Sequence, residues 1–101
     1  MIRVILPTHL WRLADTGREI EIDLKGTASL ADVLDWIEET YPMLKGTIRD
    51  HATRERRAFV RFFACGEDWS HEPTDKPLPD EIISGEEPLR IVGALAGGSD
   101  V

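Results

Sequence analysis

The chain has 101 residues, enough for one domain, and carries 12 basic against 19 acidic side chains, a formal net charge of −7. A domain of this size can close a single hydrophobic core without a metal or a disulfide. The negative charge disfavours nucleic acid and anionic membranes as partners through repulsion. Two interpretations stay open: a basic partner surface, or a charge that only keeps a small protein dissolved.

Cysteine content and hydropathy favour a cytoplasmic protein. The lone Cys65 has no partner for an internal disulfide, and no cysteine spacing indicates a zinc site or an iron–sulfur cluster. A reducing compartment is therefore expected. Residues 1–7 are apolar over too short a length for a signal peptide, and no stretch is long enough to span a bilayer.

The first predicted element is an antiparallel hairpin of two strands. Residues 2–6 form a short apolar run with β-branched side chains, and residues 18–24 alternate strictly between polar and apolar positions. The turn signal at residues 15–17 indicates that the two strands pair. Their connection is expected to be a loop that carries His9, Leu10, Trp11 and Leu13.

One clear amphipathic helix follows the hairpin. Apolar side chains recur at helical spacing and acidic side chains take the opposite side. The apolar positions are Leu30, Val33, Leu34, Ile37 and Tyr41. Ser29 and Asp32 form a capping-box pattern at the start, and Pro42 prevents extension past its end. Trp36 lies off the apolar stripe, so it either covers the flank of the core or contacts a partner.

Residues 45–57 mix charges without a period, which predicts a loop with one short helical turn. Arg54, Arg56 and Arg57 give the loop local basic character in an acidic protein. These arginines either form a docking site for an acidic partner or are simply solvated.

Residues 58–64 carry the strongest strand signal, with aromatic and β-branched side chains. Arg61 indicates which face is outward, so Val60, Phe62 and Ala64 are expected to face the core. The outward side chains are then Phe59, Phe63 and Cys65. They either receive a partner or are covered by loops of the chain itself.

The last third of the chain is predicted to contain a long surface connection and a final strand. Residues 68–88 are mostly polar and include four prolines. The apolar side chains expected in this segment are Leu78, Ile82 and Ile83. Residues 89–92 follow as a strand. The order of strands with one main helix predicts an α+β fold, a β-grasp roll with a mixed sheet. We expect a domain at residues 1–96 and a C-terminal tail at residues 97–101.

Several segments, in this order and spacing, resemble one known family. They are the helix start at residues 27–34, the helix end at Tyr41 and Pro42, and residues 89–98 with Gly97 and Gly98. Together with the strand order they resemble the MoaD/ThiS family of ubiquitin-like sulfur carriers, over nearly the whole chain. Further segments look most like the carriers that donate sulfur to a cysteine synthase: residues 5–8, 48–50, 59–63 and 67–68.

The resemblance implies a function for the tail. In such carriers an adenylyltransferase of the ubiquitin-activating type uses ATP to convert the terminal glycine into an acyl-adenylate, and a sulfur donor displaces AMP to leave a thiocarboxylate. Gly98 would carry the sulfur, Gly97 would keep the tail thin, and Leu95 would anchor it to the partner. The carrier would bind no cofactor and supply no catalytic side chain, so the chain is not expected to be an enzyme.

Two features depart from the family pattern. The family usually ends at the second glycine, whereas Ser99, Asp100 and Val101 follow here. The resemblance therefore implies cleavage between Gly98 and Ser99 by a JAMM-type zinc peptidase. The family also often has proline before the tail, where this chain has Gly93 and Ala94.

Rival functions have weaker support in the sequence. His9, His51 and His71 with Cys65 show no ligand spacing, so no metal site is expected. The alternatives to a sulfur carrier are a protein modifier joined to lysines through Gly98 and a noncovalent ubiquitin-like module with an idle tail. The acceptor pathway stays open among the synthesis of cysteine, thiamine, molybdopterin or another sulfur-containing product.

Overall fold

The computed structural model describes residues 1–93. In this part of the chain five strands form one sheet: β1 (Ile2–Ile5), β2 (Glu19–Ile22), β3 (Val60–Ala64), β4 (Glu67–Asp68) and β5 (Leu89–Gly93). The α-helices are α1 (Thr8–Leu13), α2 (Leu30–Thr40) and α3 (Asp80–Ser84), and a 3₁₀ turn covers Pro42–Leu44. The domain boundary predicted between residues 96 and 97 lies outside the described residues.

The sheet is mixed and has the order β2-β1-β5-β3-β4. β1 and β5 pair in parallel at its centre, and the other neighbours pair antiparallel. The connection between such parallel strands needs a long crossover, which here contains α2. This arrangement confirms the predicted α+β class and the β-grasp topology.

The core lies between α2 and one face of the sheet. Alternate residues of the strands point inward and meet the apolar stripe of the helix, and all belong to one buried cluster. Its members from these elements include Leu30, Val33, Leu34 and Ile37 of α2, and Ile2, Val4, Ile20, Ile22, Val60, Phe62, Leu89 and Ile91 of the sheet. The predicted core faces are therefore confirmed.

The ends of α2 also follow the sequence signals. The Ser29 hydroxyl accepts a hydrogen bond from the Asp32 N–H at 3.2 Å, and the Asp32 carboxylate accepts one from the Ser29 N–H at 2.9 Å. This is the predicted capping box. The Tyr41 N–H donates to the Ile37 carbonyl at 2.8 Å, and Pro42 then begins the 3₁₀ turn.

The connection between β1 and β2 was wrongly predicted as a loop, because it contains the helix α1. The Pro7 carbonyl accepts hydrogen bonds from the N–H groups of Leu10 and Trp11 at 3.0 and 3.1 Å, which closes the first turn. Leu10 is buried in the core. A helix of six residues has too few turns for a period to appear in the sequence.

Residues 68–88 were expected to lie on the surface, yet they bury part of the core. Trp69, Leu78 and Ile82 are buried, and Ile82 belongs to α3. The Trp69 N–H donates to the Phe62 carbonyl at 2.7 Å, which fixes this segment to the sheet. Because Trp69 has polar neighbours on both sides in the sequence, no apolar pattern indicates that it is buried.

Candidate functional site

The predicted working group is in the tail, and the structure describes where that tail begins. Gly93 ends β5, the central strand, and pairs with Val60 of β3. Leu95, Gly97, Gly98 and the bond between Gly98 and Ser99 lie outside the described residues. The candidate site is therefore built here from the surroundings of Gly93, which we call the tail base.

A groove of about 290 Å³ borders the tail base. It brings together residues that are far apart in the sequence, namely Pro7, Trp11, Arg18, Arg90, Val92 and Gly93. Arg12 lies over the Trp11 ring, with its guanidinium carbon 5.7 Å from the ring centroid. The groove therefore offers an aromatic wall and two exposed guanidinium groups, Arg18 and Arg90, beside the start of the tail.

Gly93 is in close contact with His9 of α1. A Cβ at position 93 would lie 2.9 Å from Cε1 of His9 and 3.5 Å from Cγ of Pro7, so only glycine fits without a shift of the imidazole. His9 Nδ1 is buried and has no hydrogen-bond partner among residues 1–93. The prediction that placed His9 in a loop did not anticipate this contact, because nothing in the sequence links residues 9 and 93.

The sheet face that α2 does not cover is exposed beside the tail base, and we call it the outer sheet face. Val92 is 46% exposed and lies opposite Arg61, while Phe59 is 58% exposed next to β3. Phe63 is half-buried and lies opposite Arg90. The predicted outward direction of Phe59 and Phe63 is confirmed, and Phe59 is not covered by the described loops.

Charged pairs border this apolar surface on both sides. Arg3 approaches Glu19 at 3.3 Å on one side, and Arg61 approaches Asp68 at 3.5 Å on the other. Ion pairs as exposed as these contribute little to stability. The outer sheet face is therefore an apolar and basic surface with acidic side chains at its edges.

Cys65 does not have the surroundings of a nucleophile. It occupies a two-residue turn with Gly66, between β3 and β4, with a positive φ of 53°. Desolvation and then the nearby carboxylates of Glu81 and Glu87 raise the pKa of its thiol, which opposes thiolate formation. Within residues 1–93 no three potential ligands come close enough together to hold a metal ion.

The basic loop makes contacts within the chain. Arg54 donates to Asp35 at 2.8 Å, Arg56 to the Val60 carbonyl at 2.7 Å and Arg57 to the Gly46 carbonyl at 2.8 Å. Arg54 and Arg56 thus hold the loop against the domain, and Arg57 closes a contact within the loop.

No helix within the described part of the chain combines the length and the apolar character needed to cross a membrane. No protein-family model matches the sequence, and no curated protein matches it.

Solved structures with the same fold are found by structural comparison. SAMP1 from Haloferax volcanii matches with a TM-score of 0.72 and 20% identity, over 95% of this chain and 97% of that one. A chain of the Amycolatopsis orientalis BexX/CysO complex matches with a TM-score of 0.74 and 19% identity, over 97% and 100% of the two chains. A second structure of H. volcanii small archaeal modifier protein 1 matches at 0.70 and 17%, over 92% and 95%. At these identities the likeness shows the shared β-grasp fold.

Proposed function

We propose that this chain is a ubiquitin-like sulfur carrier whose working group is the carboxyl of Gly98. The observation that carries the proposal is the position of the tail base: β5 brings Gly93 beside the exposed outer sheet face, and Gly97 and Gly98 follow four and five residues later. Glycines have no side chain to clash, so their backbone fits a narrow channel in a partner enzyme. The fold shared with SAMP1 and with a chain of the BexX/CysO complex supports this function.

The chemistry consists of an adenylyl transfer to the carrier followed by an acyl transfer to sulfur, with the carrier as the substrate of both steps. The Gly98 carboxylate attacks the α-phosphorus of ATP and pyrophosphate leaves, which gives an acyl-adenylate. Hydrosulfide then attacks the acyl carbon and AMP leaves, which gives a thiocarboxylate. An adenylyltransferase of the ubiquitin-activating type binds the ATP, so the carrier itself holds no cofactor and supplies no catalytic side chain.

The outer sheet face is the surface on which we propose that the activating enzyme docks. It adjoins the tail base, so a partner bound there could receive the tail over a short distance. Phe59 and Val92 supply exposed apolar area, and Arg90 supplies a guanidinium group. Aromatic side chains and arginine are enriched at protein interfaces and at their energetic centres.

Maturation and sulfur delivery need two further partners. Ser99, Asp100 and Val101 follow Gly98 and block its carboxyl, so a JAMM-type zinc peptidase would have to cleave after Gly98. We propose a cysteine-synthase-like enzyme as the acceptor, with thiamine and molybdopterin synthesis as alternatives. The BexX/CysO complex is a structural precedent for a chain of this fold in complex with another protein.

An ATP–pyrophosphate exchange assay with an activating enzyme from the source organism tests the docking surface. A chain ending at Gly98 should support ATP–pyrophosphate exchange, and Val92→Glu should slow it more than about tenfold, since a charge buried in an apolar contact is costly. Met43→Glu is the matched control, because Met43 is similarly exposed but lies in the 3₁₀ turn after α2. Equal exchange rates for the two variants would contradict docking on this face.

A protein modifier is the second candidate, because two of the similar structures are of a small archaeal modifier protein. Arg90 is the last basic residue of the chain, so trypsin would leave residues 91–98 attached to any modified lysine. Branched peptides of this kind, found after incubation of the Gly98-ended chain with cell extract and ATP, would favour the modifier. Full function after deletion of residues 97–101 would instead favour a noncovalent module.

A further inference from the structure

A second groove, of about 320 Å³, lies along the solvent side of α2. Asp32, Asp35, Trp36 and Glu39 of the helix and Leu24 and Lys25 of the preceding segment line it. The four helix positions are spaced three and four residues apart, so their side chains share one face. We call this the Trp36 groove. It lies on α2, which packs on the opposite side of the sheet from the outer sheet face.

The three indole rings of the chain differ in whether a cation covers them. Arg12 lies over Trp11 at 5.7 Å, and the Lys76 ammonium lies over Trp69 at 5.0 Å. Within residues 1–93 no cation lies over Trp36, which instead packs edge-on against Tyr41 with 6.3 Å between ring centroids. Trp36 is partly buried against the core and also lines the groove, so its ring is available there for a cation–π contact with a ligand.

Three carboxylates and one ammonium group line the groove, and one of the carboxylates, Asp35, is already paired. Asp32 is held by the capping box, and Asp35 binds the guanidinium groups of Arg49 and Arg54. Glu39 is exposed and forms no ion pair in the described part of the chain. Lys25 is the one basic side chain in the lining. The groove thus combines an aromatic wall with an acceptor carboxylate, Glu39, that has no ion-pair partner among residues 1–93.

We propose that the Trp36 groove binds an arginine side chain from a basic peptide segment of a partner protein. A guanidinium group can stack on the indole and donate two parallel hydrogen bonds to a carboxylate, which a lysine ammonium cannot do. The formal net charge of −7 also favours encounter with a basic segment. Because the groove and the outer sheet face are separate, a partner can bind α2 while the tail is being used.

The binding test uses the full-length chain labelled with ¹⁵N and a tetra-arginine peptide with acetyl and amide ends. Saturable shifts are expected at the Trp36 indole N–H and at the amides of residues 24–39, and added salt should weaken them. The tetracitrulline peptide, which is neutral but similar in shape, should produce none. Equal shifts at all acidic surfaces, or at Trp11 and Trp69 as strongly as at Trp36, would overturn the proposal.

Two variants and one control locate the binding site. Trp36→Leu and Glu39→Gln should each weaken the binding of tetra-arginine roughly twofold to fivefold, as expected for one cation–π contact and one exposed ion pair. Glu87→Gln removes an exposed carboxylate outside the groove and should leave affinity unchanged. Dispersed spectra verify that each variant folds. Equal affinity of all four proteins would contradict the assignment.

The same experiment distinguishes the binding of a partner peptide from self-association of the chain. If the groove resonances shift with protein concentration in the absence of peptide, a second copy occupies the groove and the proposal is overturned. The measurement needs neither ATP nor an activating enzyme, and a chain ending at Gly98 should give the same affinity. Failure here is therefore distinct from failure of the proposed carrier function.

Discussion

At the scale of single residues, Arg49 is the charged side chain most deeply inserted into the described domain. It is 4% exposed and follows the buried Ile48. Its Nε donates to Glu38 at 2.9 Å, and one terminal nitrogen donates to Asp35. Burial alone would lower the pKa of Arg49, but the hydrogen bonds to Glu38 and Asp35 outweigh it and hold the pKa above its ordinary value.

Removing this guanidinium should strongly destabilise the protein. Arg49→Ala leaves the Glu38 carboxylate, which is 12% exposed, without its ion-pair partner, and we expect a loss of about 3 kcal/mol in the free energy of unfolding. The double variant Arg49→Met with Glu38→Met should recover most of this loss. Urea unfolding measures both, and an Arg49→Ala loss below about 0.5 kcal/mol would contradict the role assigned to Arg49.

The same network should make stability depend on pH in the acid range. The hydrogen bond from Arg49 lowers the pKa of Asp35 despite opposing desolvation, and Arg54 adds to the effect. A carboxyl whose pKa is lower in the folded state stabilises the fold above its unfolded pKa of about 3.9, and this stability disappears as pH falls through the folded pKa. Stability should therefore fall below about pH 4.

Asp50 and Asp68 should also contribute stability that is lost as the pH falls. The backbone N–H groups of Thr53 and Ala52 lower the pKa of Asp50, and the hydroxyl and N–H of Ser70 lower that of Asp68. Arg49→Met should remove the largest part of the Asp35 contribution and leave the smaller part that Arg54 supplies, so the urea midpoint should decrease less steeply as the pH falls below about 4. A carboxyl titration in which Asp35 has its ordinary pKa would contradict this prediction.

Gly93 gives a third prediction at this scale, because a methyl group there would press on His9. Gly93→Ala should cost roughly 1–3 kcal/mol of stability, as is typical of overpacking. A shorter side chain at position 9 should relieve the clash, so Gly93→Ala should reduce the free energy of unfolding by less in a His9→Ala background. Gly17→Ala is the control, since its Cβ would meet no atom closer than 4.0 Å. Equal costs in the two backgrounds would show that His9 does not limit position 93.

At the scale of elements, predictability depended on length and on local signals. The helix α2 has eleven residues, a capping box and a terminating proline, so its bounds were correctly predicted within a residue. The helices α1 and α3 have six and five residues, fewer than two turns, and their apolar positions repeat too few times to indicate a helix. Trp69 was missed because its burial depends on pairing with β3.

The contact between α2 and the sheet gives a prediction for this scale. Leu34→Ala should lower the free energy of unfolding by roughly 2–5 kcal/mol, because it removes a fully buried side chain from the helix stripe. Glu39→Ala is the matched control on the exposed face of the same helix. Thermal or urea unfolding compares them, and a melting curve of Leu34→Ala that coincides with the control would exclude Leu34 from the core.

At the scale of the whole molecule, strand order and one amphipathic helix were enough to predict the β-grasp fold. The tail base was not predictable, because its groove joins Pro7, Trp11 and Arg18 to residues 90–93 through folding alone. Gly98 was identified from a resemblance of sequence and lies outside the described residues. The fold thus explains where the tail starts, and the proposed function assigns the chemistry to the Gly98 carboxyl.

Intact-protein mass spectrometry measures that chemistry most directly. A chain ending at Gly98, incubated with ATP, a sulfide source and its activating enzyme, should gain the mass of one oxygen-to-sulfur exchange. The full-length chain, whose carboxyl belongs to Val101, should gain nothing, and Gly98→Ala in the shortened chain should suppress the gain by crowding the channel. Efficient modification of the full-length chain, or none of the Gly98-ended chain, would contradict the proposed carrier.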